Sequence, residues 1–275
     1  MLLGSLFALV AFGFTIVYGI GHIMNWAHGE FYMLGAVGTW LFVTHFGFPF
    51  ILAAIISIIA VIVFALIIER TMYKRLRFLH LPGFVASYGL LLILQGSVFI
   101  GFAGRSRSLD KVIPGVMQLG NTMISNQRLF LIPIAVLVIL ACLWFIQRTK
   151  YGIAIRAGTQ DGPIARLYGV NMDTVCSIAM GVGAAAAVIA GVLIAPLFVI
   201  EPYMSGFVMW NAWIAVCLGG RGNLGGTLAI SGILGLITSV VQTYISMEFA
   251  LLITSAFFLI GLAIRPRGLW TGYAY

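Results

Sequence analysis

Apolar positions run in long unbroken stretches along this chain, and the charged positions gather between them. No Asp, Glu, Lys or Arg precedes Glu30. None lies between Phe31 and Ile68, between Asp173 and Glu201, or between Arg221 and Glu248. A helix of about 20 apolar residues crosses the hydrocarbon of a bilayer, because lipid offers the backbone no hydrogen bonds and a helix satisfies its own. The pattern predicts spans near residues 2–19, 31–45, 50–68, 82–103, 129–147, 174–199, 206–219, 224–246 and 249–264. The expected fold is an all-α polytopic membrane protein with about eight or nine transmembrane spans, some broken or short. The stretches 31–45 and 206–219 are the short ones, and Pro49 separates two spans that would otherwise fuse.

Composition supports this and excludes much else. Of the 275 residues, 62% are hydrophobic and 8% charged, far from the roughly half-apolar make-up of soluble domains. A single transmembrane domain over residues 1–275 uses the whole length, with no room for an ordinary soluble domain beside it. The first apolar stretch lacks a basic leader and a clear cleavage site, so it is expected to stay as a helix. Cys142, Cys176 and Cys217 lie in or beside apolar spans, are odd in number and read as packing residues rather than a disulfide framework.

The net charge of +8 would suggest a nucleic-acid partner in a soluble protein. Here it reads as topology, and no nucleic acid is expected. Arg70, Lys74, Arg75 and Arg77 form one basic loop, and Arg148, Lys150, Arg156 and Arg166 a second. Arg221, Arg265 and Arg267 fall at two further turns. With spans alternating, all of these can share one side, leaving Arg105, Arg107, Lys111 and Arg128 on the other. The excess places the first set, and the C-terminus, in the cytoplasm.

Four local patterns stand out. Ala179, Gly183, Ala187, Gly191 and Ala195 recur every four residues on the sixth span, a strip along which a neighbouring backbone can approach closely. The segment Tyr18 to Gly35 carries Asn25, His28 and Glu30 among glycines, Gly29 included, between two apolar runs. It reads either as a short surface loop or as a break in a helix inside the membrane, where polar groups face a cavity. A metal site from His22, His28 and Glu30 lacks a recognised ligand spacing, and none is expected. In residues 155–173, Thr159 or Asp161 can cap a short helix with Pro163 in its first turn and Gly169 at its stop. A connection of that length suits a docking surface for a cytoplasmic partner. Finally, Gly219, Gly220, Gly222, Gly225 and Gly226 mark a tight turn. None of Lys74, Lys111 and Lys150 follows a glycine, so the turn is no phosphate loop and the chain is not expected to bind ATP that way. Hydrolase motifs are absent as well, and no cofactor is expected.

Together these motifs resemble the branched-chain amino acid permease family of bacterial ABC importers, of the LivH type. The stretch LGSLFALVAFGFTIVYGIGHIMNWAHGEFYMLGA is similar to that family's N-terminal signature, with Trp26 in place of its usual phenylalanine. Arg156, Ala157, Asp161, Ala165, Gly169 and Asn171 match its cytoplasmic pattern. Gly219, Gly220, Gly222 and Gly226 match its glycine turn, and Arg265, Pro266, Gly268 and Leu269 its closing motif. Trp270 and Thr271 before Gly272 depart from it. The resemblance implies a non-enzymatic permease subunit in a bacterial inner membrane. Its implied partners are cytoplasmic ATPase subunits, a second permease chain (a sister or a second copy) and a periplasmic substrate-binding protein. It implies branched-chain amino acids as substrate, or an analogue such as another amino acid, urea or a short amide. Passage is then expected near Asn25, His28, Gly29 and Glu30, and ATPase coupling at Arg156, Asp161, Ala165, Gly169 and Asn171. The rivals are an ion-coupled secondary transporter relaying protons through His28 and Glu30, a channel-like facilitator, and a scaffold subunit without a pathway.

Overall fold

The computed structural model describes residues 2–21, 24–77, 79–119, 122–220, 222–266 and 268–269. Expectations resting on His22, Arg221, Arg267 and residues 270–272 lie outside them. In chain order the helices are α1 (Leu2–Gly21), α2 (His28–Thr44), α3 (Phe50–Ile68), a π-helical turn (Glu69–Tyr73), the single turn α4 (Lys74–Leu76) and α5 (His80–Gly101). There follow α6 (Asn126–Arg148), α7 (Lys150–Gln160), α8 (Gly162–Leu167), α9 (Met172–Ile194), α10 (Met204–Gly219), α11 (Leu224–Tyr244) and α12 (Met247–Ile264). Seven helical runs are long and apolar enough to cross a membrane: α1, Phe50–Leu76, α5, α6, α9, α11 and α12. The shorter α10 (16 residues) and α2 (17 residues) stand where short spans were expected. The protein is all-α and passes the membrane several times.

The π turn and α4 carry the helix on through residues expected to form a basic loop. Two more elements were not foreseen. Residues 150–160 form the helix α7, whose start is set by Thr149: its hydroxyl accepts from Gly152 N at 3.0 Å. Between α5 and α6, β1 (Val116–Leu119) pairs antiparallel with β2 (Thr122–Ser125), Val116 opposite Ser125. This hairpin is the only sheet among the described residues.

The other boundaries follow from side chains. Asn171 accepts from Asp173 N and Thr174 N to open α9. Asn223 accepts from Gly226 N to open α11. Pro49 supplies the extended residue before α3, and Pro196 follows the end of α9. Many hydroxyls within the helices bond back to the preceding turn, as Thr15 does to Ala11 O and Ser231 to Thr227 O, which lets those polar side chains sit in apolar helices.

α1 is the axis of the bundle. Every residue from Leu6 to Phe14 is buried, as expected of a helix apolar all round. α9, α10 and α11 surround it, with α6 beside them; α2 packs on α9 and also touches α1 and α10, α3 packs on α2 and α9, and α12 on α10 and α11. α5, α6 and α12 turn residues such as Leu92, Leu137 and Leu252 outward, a surface suited to lipid.

Between helices in lipid, close packing replaces the hydrophobic drive. The small-residue strip of α9 serves two neighbours. Four residues advance about 400°, so the strip drifts about 40° per step around the helix. Gly183 meets α1, where an added Cβ would come within 2.9 Å of the Gly13 carbonyl oxygen. Two steps on, Gly191 meets α2, where a Cβ would collide with the Tyr32 carbonyl. Ala187 is buried between these points, Ala179 is buried one step before Gly183, and Ala195 lies buried just past the helix end. Gly191→Ala is expected to lose most of the folded protein in mild detergent. Overpacking costs about 1–3 kcal/mol even where side chains can shift, and here the obstacle is backbone. Gly206→Ala, where a Cβ meets open space, is expected to keep its yield. Size-exclusion profiles of the two variants check this, and equal profiles would show that α2 and α9 can separate freely.

Candidate functional site

α1 and α2 are separate helices, and Asn25 and Ala27 just before α2 are buried within the bundle. Asn25, His28 and Glu30 are each 1% exposed or less, so the segment is not a surface loop of this chain. Asn25 O accepts from His28 N at 3.2 Å, which starts α2 without a side-chain cap.

The polar residues of this segment are not gathered in one pocket. Asn25 accepts a hydrogen bond from the Tyr73 hydroxyl at 2.5 Å, at the end of the π turn. His28 faces α1. Its ring lies 6.1 Å from Phe14 and 5.7 Å from Phe31, centroid to centroid, near the Val10 carbonyl and against Gly13. Gly29 makes room for Met209 of α10, whose Cβ would stand 2.7 Å from an added Cβ. Glu30 faces away from His28, because two residues on a helix are about 200° apart. No hydrogen bond joins the two side chains among the described residues.

Glu30 is held by two helices distant in sequence. Its Oε1 accepts from Ser205 Oγ at 2.7 Å and from Gln95 Nε2 at 3.0 Å. Gln95 also reaches Ser205 Oγ at 3.4 Å. Oε2 is buried and has no partner among the described residues. The carboxyl therefore ties α2 to α5 and α10 and keeps one acceptor in reserve. An unpaired acceptor away from water costs about 1–3 kcal/mol, so this oxygen is disposed to take a donor.

Beside this junction, Trp26, Trp210 and Trp213 form a half-buried aromatic group with centroids 5.3–6.4 Å apart. Trp26 N donates to Ser87 Oγ of α5 at 3.2 Å, and Trp210 Nε1 to Ser255 Oγ of α12 at 3.1 Å. The start of α2 thus touches both α5 and α10, through the Glu30 carboxyl and again through Trp26. Among the described residues, no three His, Cys, Asp or Glu side chains converge to hold a metal.

At one end of the bundle, the segment from Lys150 to Asn171 is a pair of helices. Asp161 caps α8 by accepting from Ile164 N at 2.9 Å. Thr159 is not the cap; its hydroxyl bonds to Ile155 O within α7. Ala165 is buried, while Leu167 and Tyr168 are 86% and 85% exposed. Gly169 takes φ +83° to turn the chain toward Asn171 and α9. Arg156 lies on α7 and points back to Gln147 O at 3.4 Å, apart from α8. Thr159 packs beside Gly19 of α1 and Gly222 of the glycine turn. In that turn Gly220 and Gly222 have φ +94° and +81°, and Gly219 and Gly226 lie backbone to backbone where α10 crosses into α11.

Ser205, Gln95, Tyr73 and the pair Trp210 and Trp213 escaped the sequence reading. A lone amide inside the apolar run of α5 was the available signal for Gln95; nothing local marks Ser205.

Residues 1–262 match the family described as branched-chain amino acid transport system, permease component. The chain is 29% identical to the high-affinity branched-chain amino acid transport system permease protein LivH of Escherichia coli K12, covering 97% of this chain and 92% of that one. It is 30% identical to LivH of Salmonella typhimurium LT2 and 28% identical to BraD of Pseudomonas aeruginosa, with the same coverage. No solved structure matches it. With the family pattern covering nearly all of an all-α, multi-pass chain, the protein belongs to the branched-chain amino acid transport permease family.

Proposed function

We propose that the chain is the transmembrane permease subunit of an ABC importer for branched-chain amino acids or a close analogue. A periplasmic binding protein delivers the substrate, a second permease chain completes the pathway, and ATP is hydrolysed on separate cytoplasmic subunits. The family match over residues 1–262 carries the reading. The basic ends of the helices support an orientation with α7, α8 and the C-terminus in the cytoplasm. The pathway passes the junction of α2, α5 and α10, where Glu30 offers a free acceptor to the ammonium of an amino acid. The indole group beside it suits an aliphatic side chain. α8, with Leu167 and Tyr168 projecting, seats in the ATPase.

The test is purification of the tagged chain in mild detergent from its own host, with identification of what accompanies it. A second permease and ATPase subunits are expected, together with ATP hydrolysis by the preparation. Recovery of the chain alone from membranes that take up substrate would contradict the proposal.

A further inference from the structure

The end of α3 carries a polar cluster that the pathway does not use. The π turn Glu69–Tyr73 begins with a buried carboxyl and ends with a buried phenol. Such single π turns within a helix are frequent at functional sites. Arg77, one turn on, is 8% exposed and bridges Glu69 to Asp173 at the start of α9; Lys74 pairs with Asp173 from outside at 2.9 Å. Tyr73 donates to Asn25 at the turn before α2. Asn25 itself lines a cavity of about 30 Å³, together with Val17, Glu69, Tyr73, Arg77, Cys176 and others. It has room for water and none for an amino acid.

These contacts join three things: the turn that carries the pathway residues, the end of α3, and the root of α9. Asp173 is also the residue through which α8 reaches the cluster, since Gly169, the Asn171 cap and Asp173 follow α8 in immediate succession. We propose that the Tyr73–Asn25 hydrogen bond and the Arg77 bridge between Glu69 and Asp173 form a latch that closes the cytoplasmic end of the pathway, released when movement of α8 displaces Asp173. The inference rests on the permease reading for its direction. Tyr73, Arg77 and Asp173 are positioning residues that need not touch substrate. The two arms differ, which suits a switch: the inner arm joins Arg77 to the buried Glu69 and is costly to break, while the outer arm reaches a half-exposed Asp173 that Lys74 also holds and is cheap to release.

Cys176 reports on the latch. It is half-buried in the cavity wall, one turn beyond Asp173. The assembled importer, with Cys176 as its permease chain's sole cysteine, is labelled in inside-out vesicles with a membrane-impermeant maleimide. Slow labelling is expected for the parent. Tyr73→Phe and Asp173→Asn are each expected to raise the rate about fivefold, the population shift that loss of one hydrogen bond supports. A parallel chain keeping only Cys142, on α6 away from the cavity, is expected to label at an unchanged rate in both variants. Unchanged Cys176 labelling would overturn the latch. A rise at Cys142 equal to that at Cys176 would overturn it as well, by showing general loosening. Glu30→Ala, which removes the tie of α2 to α5 and α10 and touches neither arm of the latch, is expected to leave Cys176 labelling at the parent rate. Normal uptake in Glu30→Ala with faster labelling in Tyr73→Phe would remove the pathway assignment and leave the latch standing.

Discussion

Replacing Glu30 by alanine is expected to lower uptake about 10- to 100-fold, the range that hydrogen bonds to a carboxylate support at about 1.5–3 kcal/mol, while the importer still assembles. The expectation follows from where the carboxyl sits. Ser205 and Gln95 engage one oxygen and leave the other buried and free. A group placed only to hold α2 against α5 and α10 would use both oxygens, or would be an amide. Glu30→Gln separates the two roles. It keeps the size and an acceptor for Ser205, so a purely structural residue would tolerate it. A residue that receives an ammonium would not, and uptake should fall nearly as far as in the alanine variant. His28→Ala is expected to reduce uptake for a different reason, by opening a void between Phe14 and Gly13 beside the axis helix. Radiolabelled uptake, with copurification of partner subunits as the assembly control, distinguishes these outcomes. Normal uptake in both alanine variants would remove the α2 start from the pathway.

Gly169→Val is expected to uncouple ATP hydrolysis from uptake. Gly169 holds φ +83° with open space around it, so the obstacle to a side chain is the backbone conformation. A β-branched residue is a genuine outlier there, and strain of about 1–3 kcal/mol would push the turn toward another conformation. α8 would then meet the ATPase at a changed angle, and its movement would no longer reach Asn171 and α9 directly. Hydrolysis by the purified complex is expected to persist near the parent rate while uptake falls about tenfold, as 1.4 kcal/mol of lost coupling would produce. Leu167→Asp and Tyr168→Asp act one step earlier, by weakening the contact itself, and should reduce copurification of the ATPase. Unchanged uptake in Gly169→Val would deny the turn a coupling role.

The spans were legible because the bilayer enforces one rule over long stretches: backbone groups must be satisfied within the helix, so apolar runs of fixed length are unavoidable. The cap at Asp161, the left-handed stop at Gly169 and the small-residue strip were legible for a similar reason. Each is a local backbone requirement that few residue types meet. The hairpin and α7 were missed although weak signals stood in the chain, Gly120–Asn121 between two short runs and Thr149 three residues before Gly152. The candidate site was only half legible. Asn25, His28 and Glu30 stood out as polar residues in apolar surroundings, but their division among three different surroundings depends on how α2 is rotated. That rotation is set by Gly35 against Val188 and Gly191 against Tyr32, contacts between residues far apart in sequence. Ser205, Gln95 and Tyr73 acquire their roles from the same packing.

The measurement that bears most directly on the whole account is accumulation of radiolabelled leucine in proteoliposomes. The vesicles hold either the copurified complex, with its binding protein supplied on the outer face, or this chain alone. Concentration above the bath is expected only with the complex and ATP, and no transport by the isolated chain under any ion gradient. Transport by the isolated chain without ATP, whether driven by a gradient or stopping at equilibrium, would contradict it.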